Sequence, residues 1–371
     1  MNLRLERLMT EAAHLIATRG ARLKKGSEIL IICGKHNSVF AERLMRECYV
    51  EHTYPHLWVW DENLLPNRAE IVDEDAEAKL PGHTRCLLEN SDLVMWVTQF
   101  ENPKSAPDDL GMGVCSYWDQ VYETLKGRPI LYVSLLSAKC VEAMRIEYET
   151  FLEAFANAVS VDYDRLRKTG SSFVESLEGR NIIEVTDPNG TDLTLSIENR
   201  RVGMEVGNLE DCYSTGRECE VEVPGGEVYI APIESSACGR LVADELRDFN
   251  VQGLTIDFEE GKITRLRADK GRTAFQSFLD KARGNKDRVA EFGMGINHGM
   301  KPIGLRIYDE KALGTAHVAI GNNKHLGGTN EASIHIDFIL YKPTIRADDD
   351  FIMKKGHVTN RLSRKRASTT R

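Results

Sequence analysis

The chain has 371 residues, of which 42% are apolar and 28% charged, and its formal net charge is −9. This length suggests two or three domains, and the composition is typical of a globular protein. The acidic balance argues against nucleic acid as a main partner, because phosphate binding needs a basic surface. There is no run of 18 apolar residues and no signal-peptide core, so we expect neither a membrane span nor a leader.

The eight cysteines are scattered along the chain, and no pair has the C-x-x-C spacing. A disulfide framework or a zinc ribbon normally requires clustered cysteines at characteristic spacings. The pattern therefore predicts reduced thiols and a cytoplasmic protein.

The first part of the sequence alternates between helix and strand patterns. Short continuous apolar runs are typical of buried parallel strands, and amphipathic segments separate them. Predicted helices cover residues 3–18, 39–50 and 138–159, and predicted strands cover residues 28–34, 57–60, 92–98 and 129–134. This alternation predicts βαβ units and a parallel sheet.

The second part has a different pattern, with paired strand-like segments around turn sequences. Residues 182–197 surround the turn at residues 187–190, and residues 254–267 surround a second turn. Residues 220–232 form a third extended stretch. We therefore predict an α/β domain with a parallel sheet over residues 1–165, followed by an α+β domain rich in antiparallel sheet over residues 166–371. The boundary is expected in the charged stretch 164–176.

Two ionisable side chains occur in one apolar strand near the C-terminus. In residues 333–340, SIHIDFIL, strand alternation places His335 and Asp337 on one face and the apolar residues on the other. An ionisable pair in an apolar strand needs a partner. A bound metal would satisfy it, and so would a hydrogen bond between the two side chains.

Three further ionisable residues occur in similar apolar surroundings. They are Glu227 after two glycines, Glu291 in a glycine-punctuated strand, and His317 between small residues. Each alone could be an ordinary surface or core residue. Together with His335 and Asp337 they form the ligand set of a two-metal site, which activates water and polarises a carbonyl oxygen. In such a site Glu291 would bridge the two ions.

At these residues the sequence resembles the aminopeptidase T/aminopeptidase S family of metallopeptidases. The matching motifs are PGGEVYIAP at 224–232, AEFGMGIN at 290–297, YDEKALGTAHVAIG at 308–321 and IHIDF at 334–338. The resemblance implies a two-domain, dimeric, metal-dependent exopeptidase whose C-terminal domain binds the metal. It also implies two divalent ions per chain, such as zinc, cobalt or manganese, with the following ligands: Glu227, Glu291, His317, His335 and Asp337.

One catalytic position departs from the family pattern. The family has a tyrosine seven residues after the histidine that matches His317, where it stabilises the tetrahedral intermediate. This sequence has Lys324 at that position, followed by His325. Either side chain could donate a hydrogen bond to the oxyanion instead. The predicted catalytic residues are therefore Glu227, Glu291 and one of these two.

A second family shares part of the pattern. Residues 322–337 are similar to the 2,5-dihydroxypyridine dioxygenases, whose single iron is held by two histidines and a carboxylate. These dioxygenases have a histidine in place of Glu291 and lack counterparts of Glu227 and His317. An Fe(II) site built from His317, His335 and Asp337 is therefore the alternative, but the full five-residue set favours the hydrolase.

Three functions remain open from the sequence. The first is a hydrolase that cleaves an N-terminal peptide bond or a small amide with metal-activated water. It is expected to act as a homodimer on a small peptide or another small molecule. The second is a ring-cleaving, non-haem iron dioxygenase. The third is a non-catalytic relative stabilised by metal. A nucleotide cofactor is not expected, because no Gly-x-Gly-x-x-Gly follows the first strand.

Overall fold

The computed structural model describes residues 3–62, 79–98, 100–101, 112–210 and 219–359. The chain forms two compact units, one made of Met1–Ser160 with Gly207–Gly225 and the other of Val161–Val206 with Gly226–Arg371. The segment 207–225 returns to the first unit because its strand pairs with that unit's sheet. The division of the chain into domains at residues 165 and 166 stays a prediction.

The described elements are numbered in chain order. The helices are α1 Leu3–Leu15, α2 Ser38–Val50, α3 Gly82–Glu89, α4 Met112–Leu125, α5 Ala138–Ala143, α6 Tyr148–Val159, α7 Tyr163–Leu177, α8 Arg272–Lys281 and α9 Arg306–Asp309. The first strands are β1 Glu28–Gly34, β2 Tyr54–Trp60, β3 Leu93–Val97, β4 Ile130–Val133, β5 Ile182–Thr186, β6 Asp192–Ser196, β7 Val202–Glu205, β8 Glu220–Val223 and β9 Glu227–Ile230. The remaining strands are β10 Cys238–Leu246, β11 Val251–Glu259, β12 Lys262–Arg267, β13 Val289–Gly295, β14 Thr315–Gly321, β15 His335–Tyr341, β16 Thr344–Ala347, β17 Asp350–Lys354 and β18 His357–Val358.

The first unit is built on a parallel sheet with the strand order β2-β1-β3-β4-β8. Six of the seven residues of β1 are buried, which explains its continuous apolar sequence. Leu30 and Trp96 of the sheet share a core with Val121 and Leu125 of α4. Helix α1 packs against α2 and α6.

The second unit contains two antiparallel sheets. The larger has the order β12-β11-β10-β6-β5-β16-β17-β18, and the smaller has the order β15-β14-β13-β9-β7. Both contribute to one apolar core, for example through Ile183 and Ile256 of the larger sheet and Phe292 and Phe338 of the smaller. The predicted fold class is confirmed: a parallel α/β part is followed by a part rich in antiparallel sheet.

The extended stretch 220–232, which the sequence places in the antiparallel region, is divided between two sheets, and only its second half is antiparallel. Its first half, β8, pairs in parallel with β4, whereas its second half, β9, pairs antiparallel with β13. Pro224 cannot donate to a ladder, and Gly226 has a φ of 138°, so the backbone between the halves cannot continue either sheet. At Gly226 an added Cβ would lie 2.5 Å from the Cβ of Asn297.

One helical prediction also needs correction. The single helix predicted over residues 138–159 is two helices, because Arg145 between α5 and α6 has a left-handed φ of 61°. The stretch 164–176, where the domain boundary was expected, lies within α7. Asp162 caps α7 by accepting hydrogen bonds from two backbone amides of its first turn.

The structure also bears on two of the exclusions made from the sequence. Within the part of the chain that it describes, no helix combines the length and apolar character needed to cross a bilayer. The described cysteines are free thiols: Cys33, Cys48, Cys86, Cys140, Cys219 and Cys238. Cys212 lies outside the described residues.

Candidate metal centre

The five-stranded sheet carries ionisable side chains on one face. Across the sheet, Glu291 is in register with Ala319, which is in turn in register with Asp337. Gly293 is opposite His317, and Gly295 is opposite Glu227. Because side chains alternate along a strand, these residues share a face, and the apolar residues between them enter the core.

Two overlapping groups of possible ligands form on this face. Ligand atoms of Glu227, Glu291 and His317 lie within 4.8 Å of one another, and so do those of Glu291, His335 and Asp337. Glu291 belongs to both groups. The five ligands predicted from the sequence therefore lie close together. The residue common to both groups is Glu291, which the sequence predicts as the bridge between two ions.

The distances within the cluster are short. Glu291 Oε1 is 3.3 Å from His317 Nε2, and Glu291 Oε2 is 3.1 Å from His335 Nε2. His317 Nε2 is also 3.5 Å from Glu227 Oε2, and His335 Nε2 is 3.3 Å from Asp337 Oδ1. Each histidine thus directs its Nε2 atom at two carboxylates.

The carboxylates strongly perturb the histidines. Burial opposes protonation of His317, but the hydrogen bond and charge of Glu291, with the charges of Glu227 and Asp337, outweigh it and raise the pKa to about 10. Burial likewise opposes protonation of His335, but Asp337 and Glu291 raise its pKa to about 11. The carboxylates respond in the opposite sense: burial favours their neutral forms, yet hydrogen bonds from the histidines lower the pKa of Glu291 and of Asp337. The cluster therefore attracts positive charge.

Hydrogen bonding orients one of the histidines for a ligand role. His335 Nδ1 lies 2.7 Å from the backbone oxygen of Asn322, so a proton on Nδ1 leaves the Nε2 lone pair directed into the cluster. The Nδ1 atom of His317 is buried and has no hydrogen-bond partner among the described residues. Imidazole nitrogen and carboxylate oxygen are the donors that zinc, cobalt and manganese accept. The residues present thus fit divalent cations.

Two charged residues of this cluster, Glu310 and Lys311, are not indicated by the sequence pattern. Lys311 is only 2% exposed, and its Nζ lies 2.6 Å from Glu310 Oε1 and 3.6 Å from Glu227 Oε1. Glu310 Oε2 is buried without a hydrogen-bond partner in the described part of the chain. Burial raises the pKa of Glu310 to about 7, against the opposing charge of Lys311. The motif at 308–321 contained both residues, but adjacent opposite charges are typical of a solvated turn.

Arg306 is a further residue that the sequence did not single out. Its guanidinium NH1 is 3.2 Å from Asp337 Oδ2, and its NH2 is 2.9 Å from Asp248. The contact to Oδ2 leaves Oδ1 of Asp337 facing His335. Arg306 lies more than 30 residues from both aspartates, so only the fold reveals this role.

The two proposed substitutes for the family's tyrosine have different surroundings. Lys324 has a largely exposed side chain that pairs with the exposed Glu331. The His325 ring centroid lies 5.5 Å from that of His335, with the rings nearly perpendicular. Of the two, the structure brings only His325 next to a residue of the cluster.

Gly293 makes room for one of the possible ligands. A Cβ at this position would lie 2.1 Å from His317 Nε2, so Gly293→Ala must displace the imidazole. We expect Co²⁺ affinity to fall about 10–100-fold and stability to fall by about 1–3 kcal/mol, measured by calorimetric titration and urea unfolding. Gly82→Ala is the control, because no described atom lies within 4 Å of its added Cβ. Equal Co²⁺ affinity in both variants would contradict the prediction.

Comparisons with known proteins find a curated relative and several solved structures, two of which are described here. Aminopeptidase AmpS of Bacillus subtilis (strain 168) is 22% identical over 181 residues, which cover 43% of this chain and 43% of that protein. Wild-type AmpT from Thermus thermophilus superposes with a TM-score of 0.72 at 20% identity, covering 95% of this chain and 99% of AmpT. The 2,5-dihydroxypyridine dioxygenase from Pseudomonas putida KT2440 superposes with a TM-score of 0.65 at 16% identity, covering 96% and 98%.

The two structural similarities establish the fold, which AmpT and the dioxygenase share. A family model settles the membership, because it matches residues 150–357, more than half of the chain and all of the candidate ligands. The chain belongs to the family of thermophilic metalloproteases, M29.

Proposed function

We propose that this protein is a metal-dependent hydrolase of the aminopeptidase T/S type, which cleaves an N-terminal peptide bond or a small amide. The observation that carries this proposal is the pair of ligand groups that share Glu291. A carboxylate common to two ligand groups can bridge two ions, and this arrangement favours a two-metal site over a single-metal site. We further propose two divalent ions per chain: zinc, cobalt or manganese.

The residues have separate roles in this proposal. Glu227 and His317 would hold one ion, His335 and Asp337 the other, and Glu291 both. When bound, the ions would supply an activated water and a polarised carbonyl. Lys311 and Arg306 hold the carboxylates of Glu227 and Asp337 in place.

Hydrolysis also needs a general base that accepts the proton of the attacking water, and a carboxylate of the cluster can serve as this base. The Oε1 atom of Glu310 is held by Lys311, while Oε2 has no partner among the described residues and can accept and hold a proton. A pKa near 7 suits a general base at neutral pH. We therefore propose Glu310 for this role, in addition to Glu227 and Glu291.

The direct test is metal content together with turnover. Protein purified without added metal should contain up to two divalent ions per chain by mass spectrometry. After chelation and reconstitution with Co²⁺, Zn²⁺ or Mn²⁺, it should hydrolyse aminoacyl 4-nitroanilides or dipeptides. A chain that binds no ion and cleaves none of these substrates after reconstitution would exclude the proposal.

His325, rather than Lys324, is expected to assist the reaction. Because the His325 ring lies beside His335, it can donate a hydrogen bond to an oxyanion formed at the cluster. We expect His325→Ala to lower kcat about 100-fold or more, as for a lost oxyanion donor, with Co²⁺ content unchanged. The matched variant Lys324→Ala should keep kcat within about twofold, because surface pairs contribute little. The opposite ranking of the two variants would assign the role to Lys324.

The alternative proposal, an Fe(II) ring-cleaving dioxygenase, is supported by the shared fold and by the missing tyrosine at position 324. His317, His335 and Asp337 would hold the iron. Oxygen uptake on hydroxypyridines after anaerobic Fe(II) reconstitution would support this function. A non-catalytic relative would instead lose thermal stability on chelation and show neither turnover.

The oligomeric state, the cellular location and the catalytic domain are further proposals that begin from the sequence. We propose a homodimer and a cytoplasmic location, in line with the family resemblance and the free thiols. We propose that residues 166–371 form the catalytic domain, because all the candidate ligands lie there.

A further inference from the structure

A β-bulge determines the direction of the Glu291 side chain. Strand β13 pairs with β14 through Val289–Ile320 and Glu291–Ala319, so the register shifts between Val289 and Glu291. Val289 and Phe292 both enter the apolar core although they are three positions apart. In a regular strand they would point to opposite faces. The bulge at Ala290 therefore allows Val289 to be buried while Glu291 faces the candidate ligands.

Two buried asparagines bind the backbone of this bulge. Asn330 Nδ2 donates to the carbonyl of Val289 at 2.9 Å, and Asn323 Nδ2 donates to the carbonyl of Ala290 at 3.1 Å. Asn323 is fully buried and Asn330 is 2% exposed. An extra residue leaves ladder groups unpaired, and the two side-chain amides take the place of the missing strand donors.

The same asparagines also bind each other. The backbone amide of Asn330 donates to Asn323 Oδ1 at 2.8 Å, and the backbone amide of Asn323 donates to the backbone carbonyl of Asn330 at 3.2 Å. Gly328 is packed so closely that an added Cβ would lie 2.1 Å from Asn323 Cγ. The loop 322–330 is therefore fixed to the bulge rather than only adjacent to it.

This loop reaches a second residue of the cluster. The carbonyl of Asn322 accepts the hydrogen bond from His335 Nδ1. One loop thus contacts the backbone beside Glu291 and the ring of His335, the two residues whose ligand atoms are 3.1 Å apart. We infer that Asn323 and Asn330 are positioning residues, which set the spacing of Glu291 and His335 for a divalent cation.

The test compares three variants of the full chain. Asn323→Asp has the same shape and can still accept from Asn330, but it cannot donate to the carbonyl of Ala290 or to Glu234 Oε1, which lies 3.3 Å from Asn323 Nδ2. Asn330→Ala removes the other bond to the bulge. Asn37→Ala is the matched control, because Asn37 is also buried and its side-chain amide also donates to backbone carbonyls, those of Thr98 and Leu135 in the first unit.

The probe is Co²⁺, measured by calorimetric titration of metal-free protein and by its visible absorption spectrum. We expect Asn323→Asp and Asn330→Ala to weaken Co²⁺ binding about 10–100-fold, as for other residues that orient metal ligands, and to change the spectrum. Asn37→Ala should lower the melting temperature but keep Co²⁺ affinity within about twofold. If the two loop variants only lower the melting temperature and keep Co²⁺ affinity and spectrum, their role is structural and the inference is wrong.

This inference rests on the proposed metal centre, but the two can fail separately. A wild-type chain that binds no Co²⁺ would overturn the proposed function. If the wild-type chain binds Co²⁺ and the two loop variants bind it equally tightly, only the positioning role is overturned.

Discussion

Glu291→Gln is expected to remove the metal centre and the activity together. The glutamine keeps the shape of the side chain, but it lacks the charge that both ligand groups share. We expect bound metal to fall from two ions to one or none, and kcat/KM to fall on the order of a thousandfold, the upper range for loss of one principal electrostatic group. Metal analysis and hydrolysis of an aminoacyl 4-nitroanilide measure the two effects.

The control for Glu291→Gln is the same substitution at an exposed glutamate in the same half of the chain. Glu331 is exposed and contacts Lys324. Glu331→Gln should keep both metal content and kcat/KM within about twofold, because exposed ion pairs contribute little. If Glu291→Gln retained two ions and full turnover while folded by circular dichroism, the shared role of Glu291 would be wrong.

Lys311→Met is expected to cause the largest loss of stability in the metal-free protein. The substitution removes a buried cation that contacts Glu310 and Glu227 and leaves their carboxylates close together without it. Breaking a buried pair in this way costs about 3–5 kcal/mol. Urea unfolding of the chelated protein measures the loss.

The metal-loaded protein gives a second measurement on the same variant. A divalent ion held by Glu227 supplies positive charge, so the loss for Lys311→Met should be smaller with saturating Co²⁺ than without it. Lys324→Met is the control, and its exposed pair should contribute less than about 1 kcal/mol. Equal, small losses for the two lysines would show that Lys311 does not compensate the buried carboxylates.

The sequence predicted the candidate metal ligands better than the buried charged residues beside them. Glu227, Glu291 and His317 were recognisable because charged or polar groups are unusual in apolar, glycine-punctuated strands. Glu310 and Lys311 were not, because adjacent opposite charges in a turn are ordinary on a protein surface. Their burial depends on how α9 and the residues after it pack, which no local pattern reports.

The errors in the fold have a similar origin. Residues 220–232 have one continuous strand pattern, yet two different sheets divide them, because the partner strands β4 and β13 are distant in sequence. The break within residues 138–159 depends on the left-handed conformation of Arg145, a residue type that seldom marks such a break.

By itself, the sequence determined the fold class, the candidate ligands and the face on which His335 and Asp337 lie, because strand alternation and apolar runs are local properties. The sequence suggested Glu291 as the bridging residue, but only the tertiary structure shows its side chain beside both ligand groups. That position depends on the bulge at Ala290 and on hydrogen bonds from Asn323 and Asn330, more than 30 residues later. Such long-range backbone contacts leave no periodic pattern in a single sequence.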